Sequence, residues 1–136
     1  MNSPDGYIGD RGHGVGERQT MQDSLSSRRA DYVADLAGDL DSIIAQLGRI
    51  PEVRQVILFG SYARGRRDLF TDLDLLVVMD SQLDFVARNA EIARRVHARV
   101  SVDLAYTPRE LEELRERPFF VHVLATGKVL YERKSA

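Results

Sequence analysis

Two short apolar runs with a polar stretch between them constrain the fold of this chain more than any other feature. The first run covers residues 56–59 and the second covers residues 75–79. Continuous runs of Val, Ile and Leu of about this length are typical of strands that are buried on both faces. Such strands need helices packed on the sheet, so the sequence predicts an α/β or α+β domain.

The polar stretch contains a Gly-Ser turn and a pair of acids. Gly60 and Ser61 follow the first run. Ten residues separate Ser61 from Asp72, and Asp72 and Asp74 lie just before the second run. Side chains alternate between the faces of a strand, so both carboxylates should project from one side with Cα atoms roughly 6.6 Å apart. Two like charges there favour a divalent cation, and carboxylate oxygens are ligands that Mg²⁺ prefers.

A third acid, Asp103, lies in the alternating segment 100–106, which predicts a strand beside the first two. Divalent ions about 4 Å apart can stabilise both the attacking and the leaving oxygen of a phosphoryl or nucleotidyl transfer. Asp103 would complete the acid cluster and help to deprotonate an attacking hydroxyl. The alternatives are that Asp103 is an ordinary solvent-facing strand residue and that Asp72 is a turn residue.

Basic residues follow the Gly-Ser turn at positions 64, 66 and 67. Gly60 permits a close approach of the backbone, and Ser61 would begin a short helix, so both are candidates for binding the phosphates of a nucleotide. Arg64 is a third candidate, because guanidinium groups bind phosphate oxygens strongly. For each arginine, a solvated charge or a structural ion pair is an equally good interpretation.

Helices account for much of the remaining pattern. Apolar residues recur at helical spacing over residues 27–47 and 81–99, where Val86 is among the positions predicted to face inward. Two further helices are predicted over residues 107–114 and from Pro118 to just before Gly127. With a closing strand, the predicted architecture is a mixed sheet with packed helices.

The first 26 residues differ from the rest and predict a flexible tail before a domain over residues 27–133. Five of the ten glycines fall in this tail, and its apolar residues are scattered. Gly12, Gly14 and Gly16 have the spacing of a nucleotide-binding motif, but no strand is predicted before them and no helix directly after them. A nucleotide-binding interpretation of these glycines is therefore rejected.

Length and composition limit the classes of function and partner that we expect for this chain. A chain of 136 residues supports one domain, and a net charge of −2 gives no overall field that would favour direct binding of nucleic acid. The chain has no cysteine and no apolar stretch of the length of a signal-peptide core or membrane span. We therefore expect a cytoplasmic protein with no membrane partner.

These motifs resemble those of the DNA polymerase beta-like nucleotidyltransferase superfamily, and most closely its minimal nucleotidyltransferase (MNT) members. Gly60 and Ser61 match the family's Gly-Ser turn, and Asp72 and Asp74 match its metal-binding pair. Asp103 matches the third acid. The resemblance extends over about residues 27–133.

Two further segments carry the resemblance. Residues 63–65 match the Ala-Arg-Gly that usually follows the Gly-Ser turn, and residues 127–131 match a final Gly-x-x-Leu-Tyr strand. One departure is Thr71, which stands where a serine commonly precedes the first aspartate and which keeps a hydroxyl.

The resemblance implies the nucleotidyltransferase fold, ATP as the nucleotide donor, and two Mg²⁺ ions held by Asp72, Asp74 and Asp103. It also implies an antitoxin that transfers AMP to a tyrosine of a HEPN-domain toxin, in a homo- or hetero-oligomer. Two alternatives stay open. One is nucleotidylation of a small molecule such as an aminoglycoside, although such enzymes usually carry an extra helical domain. The other is a non-catalytic antitoxin that masks its partner by contact, which the retained acids argue against.

Overall fold

The computed structural model describes residues 4–96 and 104–134. Its elements, in chain order, are α1 (Pro4–Gly48), β1 (Val53–Phe59), α2 (Gly60–Ala63), β2 (Asp74–Met79), α3 (Phe85–Arg95), β3 (Leu104–Tyr106), α4 (Pro108–Leu114), α5 (Pro118–Thr126) and β4 (Lys128–Glu132). This is the order of helices and strands that the sequence predicts.

The four strands form one mixed sheet in the order β3-β2-β1-β4. β1 is antiparallel to both β2 and β4, whereas β2 and β3 are parallel. The predicted α/β architecture with helices packed on a mixed sheet is therefore confirmed. Because β1 and β2 are the two central strands, their side chains face helices on both sides, which explains why their sequences are continuously apolar.

The core has one layer on each face of the sheet. On one face, α1 packs Leu36, Ile43 and Leu47 against β1 and β2. On the other face, α5 contributes Phe120 and Val123. The central strands are thus held between two helical layers, and the end of β1 and the start of β2 are fixed relative to each other.

α1 is longer than the sequence predicts. Its apolar periodicity begins at Ser27, whereas the helix begins at Pro4, within the segment predicted to be a flexible tail. Residues 18–31 are all exposed, so the described side chains in this part of the helix bury nothing in the core. Periodicity reports only the buried face of a helix, and glycines weaken a helix without excluding it, so the pattern could not reveal this extension. The domain boundary at residue 27 stays a prediction.

α3 faces the sheet with different residues from those predicted. Val86 is 77% exposed, whereas Arg88 is 2% exposed and Ile92 is fully buried. The buried guanidinium of Arg88 donates hydrogen bonds to the carbonyls of Ala105 and Leu83 at 2.8 and 3.0 Å and forms an ion pair with Glu110 at 2.6 Å. The apolar pattern misplaced this face because it treats every arginine as solvent-facing.

Asn89 closes the outer edge of β3. Its side-chain oxygen accepts the N–H of Ala105 at 2.9 Å, and its side-chain amide donates to the carbonyl of the same residue at 3.4 Å. The side chain thus replaces a neighbouring strand at this position, which satisfies backbone groups that an edge strand otherwise leaves unpaired.

Among the helices of the described residues, none is long and apolar enough to span a membrane.

Candidate active site

The Gly-Ser turn and the acid pair meet where β1 ends and β2 begins. Phe59, the last residue of β1, pairs with Asp74, the first residue of β2. Gly60 follows with a φ of +79°, in the left-handed region that favours glycine. A Cβ on Gly60 would lie 2.2 Å from the Oδ2 atom of Asp74. The absence of a side chain therefore lets the turn approach the carboxylate closely.

Ser61 joins the turn to the loop that carries the first acid. Its hydroxyl oxygen accepts a hydrogen bond from the N–H of Asp72 at 3.2 Å. The backbone continues in α2, and just after this helix the N–H groups of Arg64 and Arg66 donate to the carbonyls of Gly60 and Ser61 at 3.2 and 3.0 Å. The Ser61 hydroxyl retains its own hydrogen, which it can donate to a further acceptor such as a phosphate oxygen.

Asp72 and Asp74 flank a core residue. Leu73 between them is 3% exposed, whereas Asp72 is exposed and Asp74 is half-buried. Because Leu73 points into the core, the acids on either side of it are directed away from the core. Burial raises the pKa of the Asp74 carboxyl above its usual value, and the negative charge of Asp72 raises it further, while the positive charge of Arg64 lowers it. Ionisation of both carboxylates therefore costs free energy unless a positive charge lies beside them.

The three arginines after the turn have different roles. Arg66 forms an ion pair with Asp68 at 2.8 Å, and Arg67 donates to the carbonyl of Tyr62 at 2.8 Å while lying 3.4 Å from the centroid of its ring. Arg66 and Arg67 therefore have structural contacts within the loop, as the alternative to phosphate binding predicts. Arg64 is exposed, and its charge acts on Asp74. Arg64 is the arginine that stays a candidate for binding phosphate.

Two residues that the motif analysis left out hold the loop before the acids. Asp68 accepts hydrogen bonds from the N–H of Phe70 and from the hydroxyl of Thr71 at 2.8 and 3.2 Å. Tyr32 donates from its hydroxyl to the carbonyl of Thr71 at 2.7 Å. The Asp-x-x-Thr spacing is a local signal that predicts such a turn. Tyr32 has no local signal, since it lies 39 residues away in the chain.

The predicted third acid, Asp103, lies outside the described residues. The strand that follows it begins at Leu104, which pairs with Leu76, two residues along β2 from Asp74. Within residues 4–96 and 104–134, no three His, Cys, Asp or Glu side chains are grouped as a metal site. The role of Asp103 stays a prediction.

The residues at this site fit a hard divalent cation. Asp72 and Asp74 offer carboxylate oxygens, the ligands that Mg²⁺ prefers, and a cation beside Asp74 would offset the burial and like-charge repulsion that raise its pKa. Gly60 keeps the adjacent backbone clear of side-chain atoms. This arrangement suits the binding of a metal ion together with the phosphates of a nucleotide.

Gly60→Ala is expected to be more damaging than Gly65→Ala. Both glycines have a positive φ, so alanine costs roughly 1–2 kcal/mol of backbone strain at either position. The new Cβ meets no atom within 4 Å at Gly65, but it meets the Asp74 carboxylate at Gly60, which adds about 1–3 kcal/mol of overpacking. Urea unfolding of both variants measures the difference, and equal losses of stability would contradict the close approach.

Asp74→Asn is expected to raise the melting temperature of the metal-free chain at pH 7. The pKa of Asp74 is higher in the folded chain than its usual value of 3.8, so ionisation of this carboxyl disfavours the folded state as the pH rises through the folded pKa. The gain should therefore shrink as the pH falls towards 4. Melting curves across this pH range test the expectation.

Asp80→Asn is the matched control for this experiment. Asp80 follows β2 at its other end, where it is exposed and forms an ion pair with Arg54 at 2.8 Å. Its substitution removes the same charge without relieving the acid pair, so no gain in melting temperature is expected. An equal gain in both variants would mean that the effect comes from net charge and not from the site.

Comparison with solved structures identifies proteins with a similar fold. A Sulfolobus solfataricus protein assigned as a nucleotidyltransferase matches with a TM-score of 0.55 at 17% identity, over 77% of this chain and 87% of that chain. This likeness shows a shared fold.

Two further structures match with lower TM-scores. A toxin–antitoxin structure with AMP-PNP matches with a TM-score of 0.47 at 28% identity, over 69% of this chain and 73% of that chain. A structure of tri-AMPylated Shewanella oneidensis HEPN toxin in complex with MNT antitoxin matches with a TM-score of 0.36 at 22% identity, over 80% of this chain and 73% of that chain.

The family assignment comes from the sequence of the domain itself. No curated protein matches the chain significantly. The family model described as polymerase beta, nucleotidyltransferase, matches residues 41–136, a span that contains the Gly-Ser turn and both acids of the pair. As its motifs predict, the chain therefore belongs to the polymerase beta nucleotidyltransferase family.

Proposed function

We propose that this nucleotidyltransferase transfers AMP from ATP to a tyrosine hydroxyl of a HEPN-type toxin and so acts as its antitoxin. The observation that carries the proposal is the approach of the Gly60 turn to the Asp74 carboxylate, because it brings the turn proposed to bind phosphate beside the acids proposed to bind a cation. Family membership and the MNT-like motifs of the sequence support the same chemistry.

The triphosphate would bind at the turn. The backbone of Gly60, the free hydrogen of the Ser61 hydroxyl and the exposed guanidinium of Arg64 would contact its oxygens. Asp72 and Asp74 would hold Mg²⁺, which, when bound, neutralises charge on the phosphates and stabilises the leaving group. The two carboxylates thereby orient the nucleotide against the turn.

The transfer itself needs a base beside the acceptor. Asp103 is proposed to take the proton of the tyrosine hydroxyl, whose oxygen then forms a bond to the α-phosphorus of ATP. The bond between that phosphorus and the bridging oxygen breaks, and pyrophosphate leaves with the electron pair. The products are a tyrosine that carries AMP and pyrophosphate.

The exposure of the site favours a protein acceptor. Asp72 is exposed at the protein surface, and Asp68 and Thr71 hold the loop that carries it. A hydroxyl presented by a partner can approach such a surface directly. Nucleotidylation of a small molecule and masking of a partner without chemistry are the two alternatives.

Mass spectrometry of the partner toxin tests the proposal. Incubation of the chain with its HEPN partner, ATP and Mg²⁺ should increase the intact mass of the partner by one or more AMP units on tyrosine. Asp72→Asn should lower the rate of this transfer by roughly 100-fold or more, because a lost metal ligand removes several kcal/mol of charge stabilisation.

Asp80→Asn provides the matched control, since it removes an exposed acid at the opposite end of β2 and should transfer AMP at the unmodified rate. A partner that stays unmodified and is inhibited only by stoichiometric binding would contradict the proposal and support masking. Labelling of an aminoglycoside in place of the partner would support the small-molecule alternative.

A further inference from the structure

The peptide group between Thr71 and Asp72 is held at both ends by side chains from other elements. The Thr71 carbonyl accepts the hydroxyl of Tyr32 at 2.7 Å, and the Asp72 N–H donates to the hydroxyl oxygen of Ser61 at 3.2 Å. A peptide group is planar, so fixing its oxygen and its nitrogen fixes the plane from which the Asp72 side chain departs.

Thr71 anchors this peptide group in the core. Its side chain is fully buried, and its hydroxyl accepts the N–H of Asp68 at 2.9 Å while donating to the carboxylate of the same residue at 3.2 Å. Arg66 in turn donates to that carboxylate at 2.8 Å. The buried hydroxyl thus has its partners within the loop, whereas the Thr71 carbonyl accepts its hydrogen bond from a group outside the loop.

That group comes from α1. Tyr32 is half-buried, and its ring packs against the core cluster that includes Leu36. It lies outside the span matched by the family model, residues 41–136. A side chain of α1 that packs on the core therefore supplies a hydrogen bond to the peptide group beside the first acid.

We infer that Tyr32 is a positioning residue for the acid pair, because its hydroxyl fixes the Thr71–Asp72 peptide and so directs the Asp72 carboxylate towards the site shared with Asp74. The effect of this positioning on catalysis rests on the proposed function, in which Asp72 and Asp74 bind the metal ion. The hydroxyl of Tyr32 donates to a backbone carbonyl and not to a carboxylate, so Tyr32 acts through the backbone.

The expected effect of losing this hydroxyl is selective. Tyr32→Phe keeps the ring in the core and removes one hydrogen bond, whose typical net contribution corresponds to about a fivefold change in an equilibrium. The Mn²⁺ concentration for half-maximal nucleotide binding should therefore rise about fivefold. Nucleotide binding at saturating Mn²⁺ should stay at the unmodified level, because the turn at Gly60 is unchanged.

Tyr131→Phe is the matched control. Tyr131 is also half-buried and packs on the same core cluster, but its hydroxyl donates to the carbonyl of Gly48 at the end of α1 at 3.4 Å and accepts from Arg133 at 3.2 and 3.3 Å. Its backbone pairs with Val56, three residues along β1 from the partner of Asp74. This substitution removes a tyrosine hydroxyl bonded to α1 without touching the acid loop, so the Mn²⁺ midpoint should stay unchanged.

The experiment measures two quantities in the full chain and both variants. The first is the Mn²⁺ midpoint for binding of a fluorescent ATP analogue, and the second is the hydrogen-exchange rate of the Asp72 amide without metal or nucleotide. Tyr32→Phe should shift the midpoint and accelerate exchange at Asp72, whereas Tyr131→Phe should change neither. An unchanged midpoint, or equal shifts in both variants, would overturn the inference.

The exchange rate keeps the inference separate from the proposed function. If the unmodified chain shows no Mn²⁺-dependent nucleotide binding, the proposed function fails, and exchange at the Asp72 amide alone decides whether Tyr32 positions the loop. Faster exchange in Tyr32→Phe than in Tyr131→Phe would still support positioning. Equal exchange rates in the two variants would overturn it.

Discussion

The close approach of the Gly60 backbone to the Asp74 carboxylate is the constraint on which the rest of this site depends. It requires a residue without a side chain, a left-handed backbone, and a strand register that pairs Phe59 with Asp74. The approach also partly buries a charge beside Asp72, which raises the pKa of Asp74. The folded chain therefore holds the ionised Asp74 carboxylate in an unfavourable environment, and a bound cation would offset this electrostatic free energy.

The packing of the domain explains how this cost is tolerated. β1 and β2 lie between α1 on one face and α5 on the other, and Leu73 inserts into the core between the two acids. The loop that precedes the acid pair is held by two hydrogen bonds. Tyr32 donates to the carbonyl of Thr71, and the N–H of Asp72 donates to the hydroxyl oxygen of Ser61. The two acids are thus positioned by the burial of Leu73 and by hydrogen bonds to the loop backbone, which hold the like charges close together.

The sequence predicts those parts of the molecule whose signals are local. The central strands, the Gly-Ser turn and the acid pair follow from continuous apolar runs, glycine and spacing, and the sheet confirms the predicted strands and their mixed arrangement. The burial of Arg88 and the hydrogen bond of Tyr32 could not be predicted, since their partners lie far away in the chain. The extension of α1 to Pro4 escaped the pattern because its described side chains bury nothing. Asp103 lies outside the described residues, and its role rests on motif and register.

Calorimetric titration of the chain with ATP tests the central claim most directly, namely that the acid pair and the Gly60 turn form one cation-dependent nucleotide site. The titration is run with Mg²⁺ and again with a chelator in excess. We expect saturable binding with Mg²⁺ and an affinity at least about tenfold lower in chelator, since the triphosphate then meets two uncompensated carboxylates. Equal affinity under both conditions would contradict the account.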